Sequence, residues 1–122
     1  DFVKKTGVCC LAVLIGNAHG HYKKTPCLDI ERVKAIRKAT GNIPLVLHGG
    51  TGITSEMFRK AIRLGIRKIN IATASFDCLT AFAKEYLSEK ENSDYFTLSE
   101  RMVQGVYENV KRYIRIFSNK EN

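Results

Sequence analysis

The chain has 122 residues, 44% apolar and 26% charged, which excludes a disordered, fibrous or multidomain polypeptide and sets one soluble globular domain as the ceiling. Twenty Lys and Arg against twelve Asp and Glu leave a net charge of +8, so an anionic partner is expected and the placement of the charges must say which kind. No apolar run approaches the ~20 residues that span a bilayer. The longest, Val8 to Ile15, has neither a basic stretch before it nor a small-residue cleavage site after it, so the expectation is a cytoplasmic chain without a membrane partner.

Asp1 to Gly7 reads like the end of a helix and begins without Met, which suggests a fragment of a longer chain. Val8 to Ile15 (VCCLAVLI) is continuously apolar, as expected of a parallel strand covered on both faces. Cys9 and Cys10 would then be core residues. With Cys27 and Cys78 they make a set too small for a disulfide scaffold and without a CxxC pair, so reduced thiols are expected. After the strand come Gly16 to Gly20 (GNAHG) and a loop, His21 to Leu28, that carries Lys23, Lys24 and Pro26. His21 reads as an exposed loop residue.

Asp29 suits the N-cap of a helix with Ile30, Val33, Ile36 and Arg37 at helical spacing, stopped by Gly41. A second strand, Pro44 to Leu47, runs into His48-Gly49-Gly50-Thr51-Gly52. Thr54 suits the cap of a second helix whose inner face is Met57, Phe58, Ala61, Ile62 and Leu64, with Gly65 ending it. A third strand, Arg67 to Ile71, closes in Asn70-Ile71-Ala72-Thr73. Two helices follow, about Ser75 to Ser88 and about Leu98 to Phe117. The second is expected to pack through Val103, Val106, Tyr107, Val110, Ile114 and Phe117 and to present Lys111, Arg112 and Arg115 to solvent.

Three strands alternating with helices imply an α/β chain with a parallel sheet, either an open doubly wound sheet or part of a TIM (β/α)8 barrel. Three strands cannot close a barrel. The unusual residues all follow a strand directly, the end at which both folds place their sites, and this favours the barrel without excluding the open sheet.

His19 and His48 each end an apolar strand and are each followed by Gly, which lets backbone approach a ligand. Two imidazoles converging on one cleft supply neutral nitrogen ligands for Zn2+, and a catalytic zinc takes three protein ligands with one position open. Hydrogen bonding of both rings to loop carbonyls is the alternative. Gly49 to Gly52 precede a helix and Asn70 to Thr73 close the next strand. Backbone N–H groups at such turns make an anion site, to which Lys23 adds a point charge. The basic residues are spread over every helix without a stripe, and no nucleic-acid motif is present.

LAVLIGNAHGHYKKTPCLDIERVKAIRKATGNIPLVLHGGTGI followed by GIRKINIAT resembles the C-terminal half of a class II, zinc-dependent fructose- or tagatose-bisphosphate aldolase, over essentially the whole chain. The resemblance implies the last three βα units of a (β/α)8 barrel plus C-terminal helices, with residues 1 to 122 forming the C-terminal portion of one barrel. His19 of AHG and His48 of LHGG resemble two of the family's three zinc histidines. Gly20, Lys23, Gly49, Thr51, Asn70 and Thr73 match positions that hold the phosphate and ketose end of dihydroxyacetone phosphate. Carbonyls near Ala18, Gly20, Gly49 and Thr51 resemble a site for a monovalent cation, Na+ or K+. Thr51 replaces the commoner Ser and keeps its hydroxyl. Ala74 stands where an acidic residue often follows the Thr, which bears on substrate preference.

The third zinc histidine and the catalytic Asp of the family have no match here, so the resemblance implies no catalytic residue in this chain and a dependence on the N-terminal part of the barrel. The complete enzyme would cleave a ketose 1,6-bisphosphate reversibly into dihydroxyacetone phosphate and an aldehyde, with zinc as Lewis acid, in a homo-oligomer (dimer or tetramer). Two other classes remain open. A non-catalytic sugar-phosphate-binding half-barrel, acting as an aldolase subunit or regulator, would lack an upstream His-bearing segment. An isomerase-type barrel with a phosphate site would bind no metal between His19 and His48.

Overall fold

A computed structural model describes residues 1–20, 25–89 and 93–118. The chain forms two compact units, Asp1–Ile71 and Ala72–Asn122. The first holds α1 (Phe2–Thr6), β1 (Leu11–Val13), α2 (Ile30–Ala39), β2 (Leu45–Leu47), α3 (Ser55–Leu64) and β3 (Ile66–Ile69). The second holds α4 (Thr73–Glu89) and α5 (Tyr95–Phe117). Among the described residues no helix is long and apolar enough to cross a membrane.

The three strands form one parallel sheet in the order β1-β2-β3. Leu11 pairs with Leu45 and Val13 with Leu47 on one side. On the other, Leu45 pairs with Ile66 and Leu47 with Ile69, with a register shift between Leu45 and Val46. Both expected helix starts are borne out: Asp29 accepts from Arg32 N at 2.9 Å and Thr54 from Met57 N at 3.3 Å, each satisfying one orphan donor of a first turn. Ile15, Val33, Leu45, Leu47, Phe58 and Ile66 are fully buried and form the core of this unit.

Two expectations about the first strand need correction. It spans three residues instead of eight, and Cys9 and Cys10, expected in the core, are exposed ahead of it. Among the described residues β1 pairs on one edge only, so its apolar residues lack a neighbour on the other: Leu11 and Val13 are half-buried and Leu14 is 70% exposed. An apolar run is buried only where something stands on both sides of it.

In the second unit the packing face of α5 also differs from expectation. Gly105, Asn109, Tyr113 and Ile116 are buried, while Val103, Tyr107, Val110 and Ile114 are exposed. The two sets lie about 135° apart around the helix. Gly105 explains the choice, since a Cβ there would stand 2.6 Å from the Cys78 carbonyl oxygen of α4. The glycine lets the backbones meet, and Asn109 Nδ2, one turn on, donates to Ser75 Oγ at 3.0 Å. Asp94 caps α5 by accepting from Thr97 N at 2.9 Å, the main reason its carboxyl is pulled down from 3.8 to about 2.

Candidate functional site

The carboxyl ends of β1 and β2 are adjacent because the two strands pair in register, and the sequence continues from them into GNAHG and HGGTG. The structure brings the two histidines of those loops together, with ring centroids 5.7 Å apart and planes at 90°. His19 is exposed and His48 half-buried. β2–β3 pairing continues for one more bond, Asn70 N donating to Leu47 O at 2.9 Å, and this carries Asn70 to the same place. Its Oδ1 accepts from Lys68 Nζ at 2.6 Å, which leaves the amide Nδ2 facing His48 Nε2 at 3.2 Å. A neutral His48 ring accepts that bond.

Gly49 lets the two loops touch. Its φ is +62°, and a Cβ would run into the Ala18 carbonyl oxygen, so any side chain here would drive apart the loops that hold the rings. Gly50 is buried, and a Cβ would collide with Ile71 and stand 3.1 Å from Phe58 Cζ. Past it, Ile53 N donates to Gly50 O at 3.3 Å as the turn leads into α3, whose first-turn N–H groups face the same end of the sheet.

Of the expected site residues, His19, His48, Gly49 and Asn70 are in this cluster, and Gly20 and half-buried Thr51 lie in the same two loops. Thr73 opens α4 in the second unit. Lys23 and His21 lie outside the described residues. One residue between the two histidine loops escaped sequence reasoning, Asn17. It is 6% exposed and bonded through both ends of its carboxamide. The available signal was an isolated polar residue closing an apolar strand two positions before a histidine.

The pair fits a shared metal ion. Two imidazoles on a tetrahedral zinc with Zn–N bonds of about 2.0 Å have ring centres about 5 Å apart, close to the spacing seen here. Among the described residues no group of three His, Cys, Asp or Glu that could hold a metal ion gathers anywhere.

The family model for class II fructose-bisphosphate aldolase matches residues 1–122. The chain belongs to the class II fructose-bisphosphate aldolase family. It is 46% identical over 92 residues to a fructose-bisphosphate aldolase of Geobacillus stearothermophilus, a match that takes in 75% of this chain and 32% of the relative. The crystal structure of the YdjI aldolase from Escherichia coli K12 superposes on 95% of this chain with a TM-score of 0.82 and 36% identity, using 41% of its own length. A candidate fructose-1,6-bisphosphate aldolase from Coccidioides immitis superposes on 94% with a TM-score of 0.84 and 29% identity, using 40% of its length. This family member therefore spans about a third to two fifths of the aldolases it matches, and its parallel three-stranded α/β unit is part of their TIM barrel.

Proposed function

We propose that this chain is the C-terminal portion of a class II ketose-bisphosphate aldolase, in which His19 and His48 supply two of three zinc ligands. The observation that carries the reading is the perpendicular imidazole pair, 5.7 Å between ring centroids, at the carboxyl ends of adjacent parallel strands in a chain of this family. The complete protein cleaves fructose- or tagatose-1,6-bisphosphate reversibly into dihydroxyacetone phosphate and an aldehyde. When bound, the zinc supplies Lewis acidity toward the substrate ketone.

The chain's own residues do the rest of the holding. Gly20, Lys23, Gly49, Thr51, Asn70 and Thr73 bind the phosphate and ketose end. Backbone N–H groups of the 49–52 turn and the start of α3 face the dianion, and the net charge of +8 favours its approach. The Asn70 amide lies between Lys68 and the His48 ring, and because a neutral imidazole has one lone pair, His48 gives up its bond from that amide in order to hold the zinc. Carbonyls near Ala18, Gly20, Gly49 and Thr51 take up a monovalent cation, Na+ or K+. The N-terminal part of the barrel contributes the third histidine and the Asp that moves the proton of the aldehyde-side hydroxyl. The whole works as a cytoplasmic homo-oligomer.

His19→Ala and His48→Ala in the complete protein test this. Each is expected to lose most of about one bound zinc per barrel, together with turnover, because a site cut to two protein ligands holds the ion poorly. Undiminished zinc in both variants would refute the assignment.

A further inference from the structure

Asn17 is one of two buried polar residues in the described structure, at 6% exposure, and it sits where the loops of both histidines are rooted. Its Oδ1 accepts from Ile15 N at 2.7 Å, and its Nδ2 donates to the His48 carbonyl at 2.9 Å. The first bond satisfies the backbone of a fully buried residue two positions beyond β1, and the second crosses to the chain leaving β2. A carboxamide alone among the small side chains offers an acceptor and a donor on one rigid plane. Aspartate keeps the acceptor and turns a second one toward the His48 carbonyl. Alanine removes the partner of both backbone groups, and for the buried Ile15 N–H this costs more than the bond itself.

We infer that Asn17 is a positioning residue: by tying the His48 main chain to the end of β1 it sets the separation of His19 and His48, and with it the grip on the metal they share. The inference rests on the zinc reading of the two histidines. Its geometry is local and doubled. His19 is two residues beyond Asn17 in the same loop, so one side chain fixes the root of its own loop and the backbone of the opposite histidine. At the next residue Gly49 has no Cβ to collide with the Ala18 carbonyl, so the two loops approach closely right beside the hydrogen bond. A ring displaced by a fraction of an ångström at its root changes the metal–nitrogen distances, and groups that orient ligands in this way typically govern metal affinity by 10–100-fold.

The test uses the complete polypeptide with Asn17→Asp and Asn17→Ala, and Asn109→Ala as a buried-asparagine control in the α4–α5 unit. Zinc affinity is measured by competition with a chelator, and site geometry by the visible absorption of the cobalt-substituted protein. Both Asn17 variants are expected to bind zinc 10–100-fold more weakly and to shift the cobalt bands, with kcat falling more than KM at saturating zinc. Asn109→Ala is expected to lower Tm and leave zinc affinity and cobalt bands as in the parent. Asn17→Asp keeps the bond to the buried Ile15 N–H and is the variant that decides if Asn17→Ala does not fold. Parent-like affinity and bands in Asn17→Asp, with zinc still lost in His48→Ala, would overturn the positioning role alone. No zinc dependence on His48 would overturn both this role and the metal reading.

Discussion

Strands β1 and β2 are written in nearly the same residues, LAV and LVL, yet β2 is buried at all three positions while β1 is half-buried at Leu11 and Val13 and exposed at Ala12. The difference lies in their neighbours. β2 has a strand on each side, whereas β1 has one and leaves its other edge, followed by Leu14 at 70% exposure, without cover. The opposite edge strand, β3, carries exposed Arg67 and Lys68, charges of the kind that guard an open edge. The two edges of the sheet therefore differ in character, apolar along β1 and charged along β3. The loops after the two strands follow the same asymmetry: the histidine after β2 is half-buried and bonded to Asn17 and Asn70, while the histidine after β1 is exposed.

The largest expected effect compares the two strands directly. Leu47→Ala should cost about 2–5 kcal/mol in urea unfolding, because it empties a fully buried position. Leu11→Ala in the same 122-residue chain, measured at concentrations low enough to keep it monomeric, should cost about 1 kcal/mol. Within the complete polypeptide the Leu11→Ala cost should rise toward that of Leu47→Ala. Equal costs in the 122-residue chain would break the comparison.

Where the loops after the two strands touch, Gly49→Ala sharpens it. A left-handed φ of +62° costs a non-glycine residue about 1–2 kcal/mol, and the collision with the Ala18 carbonyl adds to that by prising the loops apart. Lower Tm together with reduced zinc uptake in the complete polypeptide is expected. A parent-like zinc content would show that the loop contact does not set the site.

The smallest effect lies away from both strands and gives a baseline for them. The Asp94 carboxyl, drawn down to about 2 by its bonds to Thr97 and Tyr86, is fully ionised above its ordinary range, so its contribution is complete above about pH 5 and fades as pH falls through 4 toward 2. Helical circular dichroism between pH 5 and 2 should show a modest loss of stability that Asp94→Asn removes. The same pH dependence in that variant would assign it to other carboxylates.

What was legible in the sequence was whatever a few adjacent residues decide. Asp29 and Thr54 cap their helices as expected, since a cap needs only its own first turn. The histidines at the strand ends meet because parallel pairing of two apolar segments brings their carboxyl ends together. Burial was legible only in part. Val8 to Ile15 looks like a covered strand, but cover depends on a neighbour that no local pattern contains, so Cys9 and Cys10 are exposed. In α5 the apolar periodicity marks one face, while the close approach permitted by Gly105 selects another. Asn17 was overlooked because its two partners are the backbones of Ile15 and His48, and a backbone partner leaves no residue type to recognise.

The most direct measurement compares the 122-residue chain with the same chain continuous with the rest of the aldolase polypeptide, scoring sedimentation, bound zinc and cleavage of fructose-1,6-bisphosphate and tagatose-1,6-bisphosphate. The chain alone should associate through its open edge, hold no stoichiometric zinc and cleave neither substrate. The continuous polypeptide should bind about one zinc per barrel and turn over. A monomeric 122-residue chain that holds zinc tightly and cleaves a ketose bisphosphate by itself would contradict the half-barrel assignment.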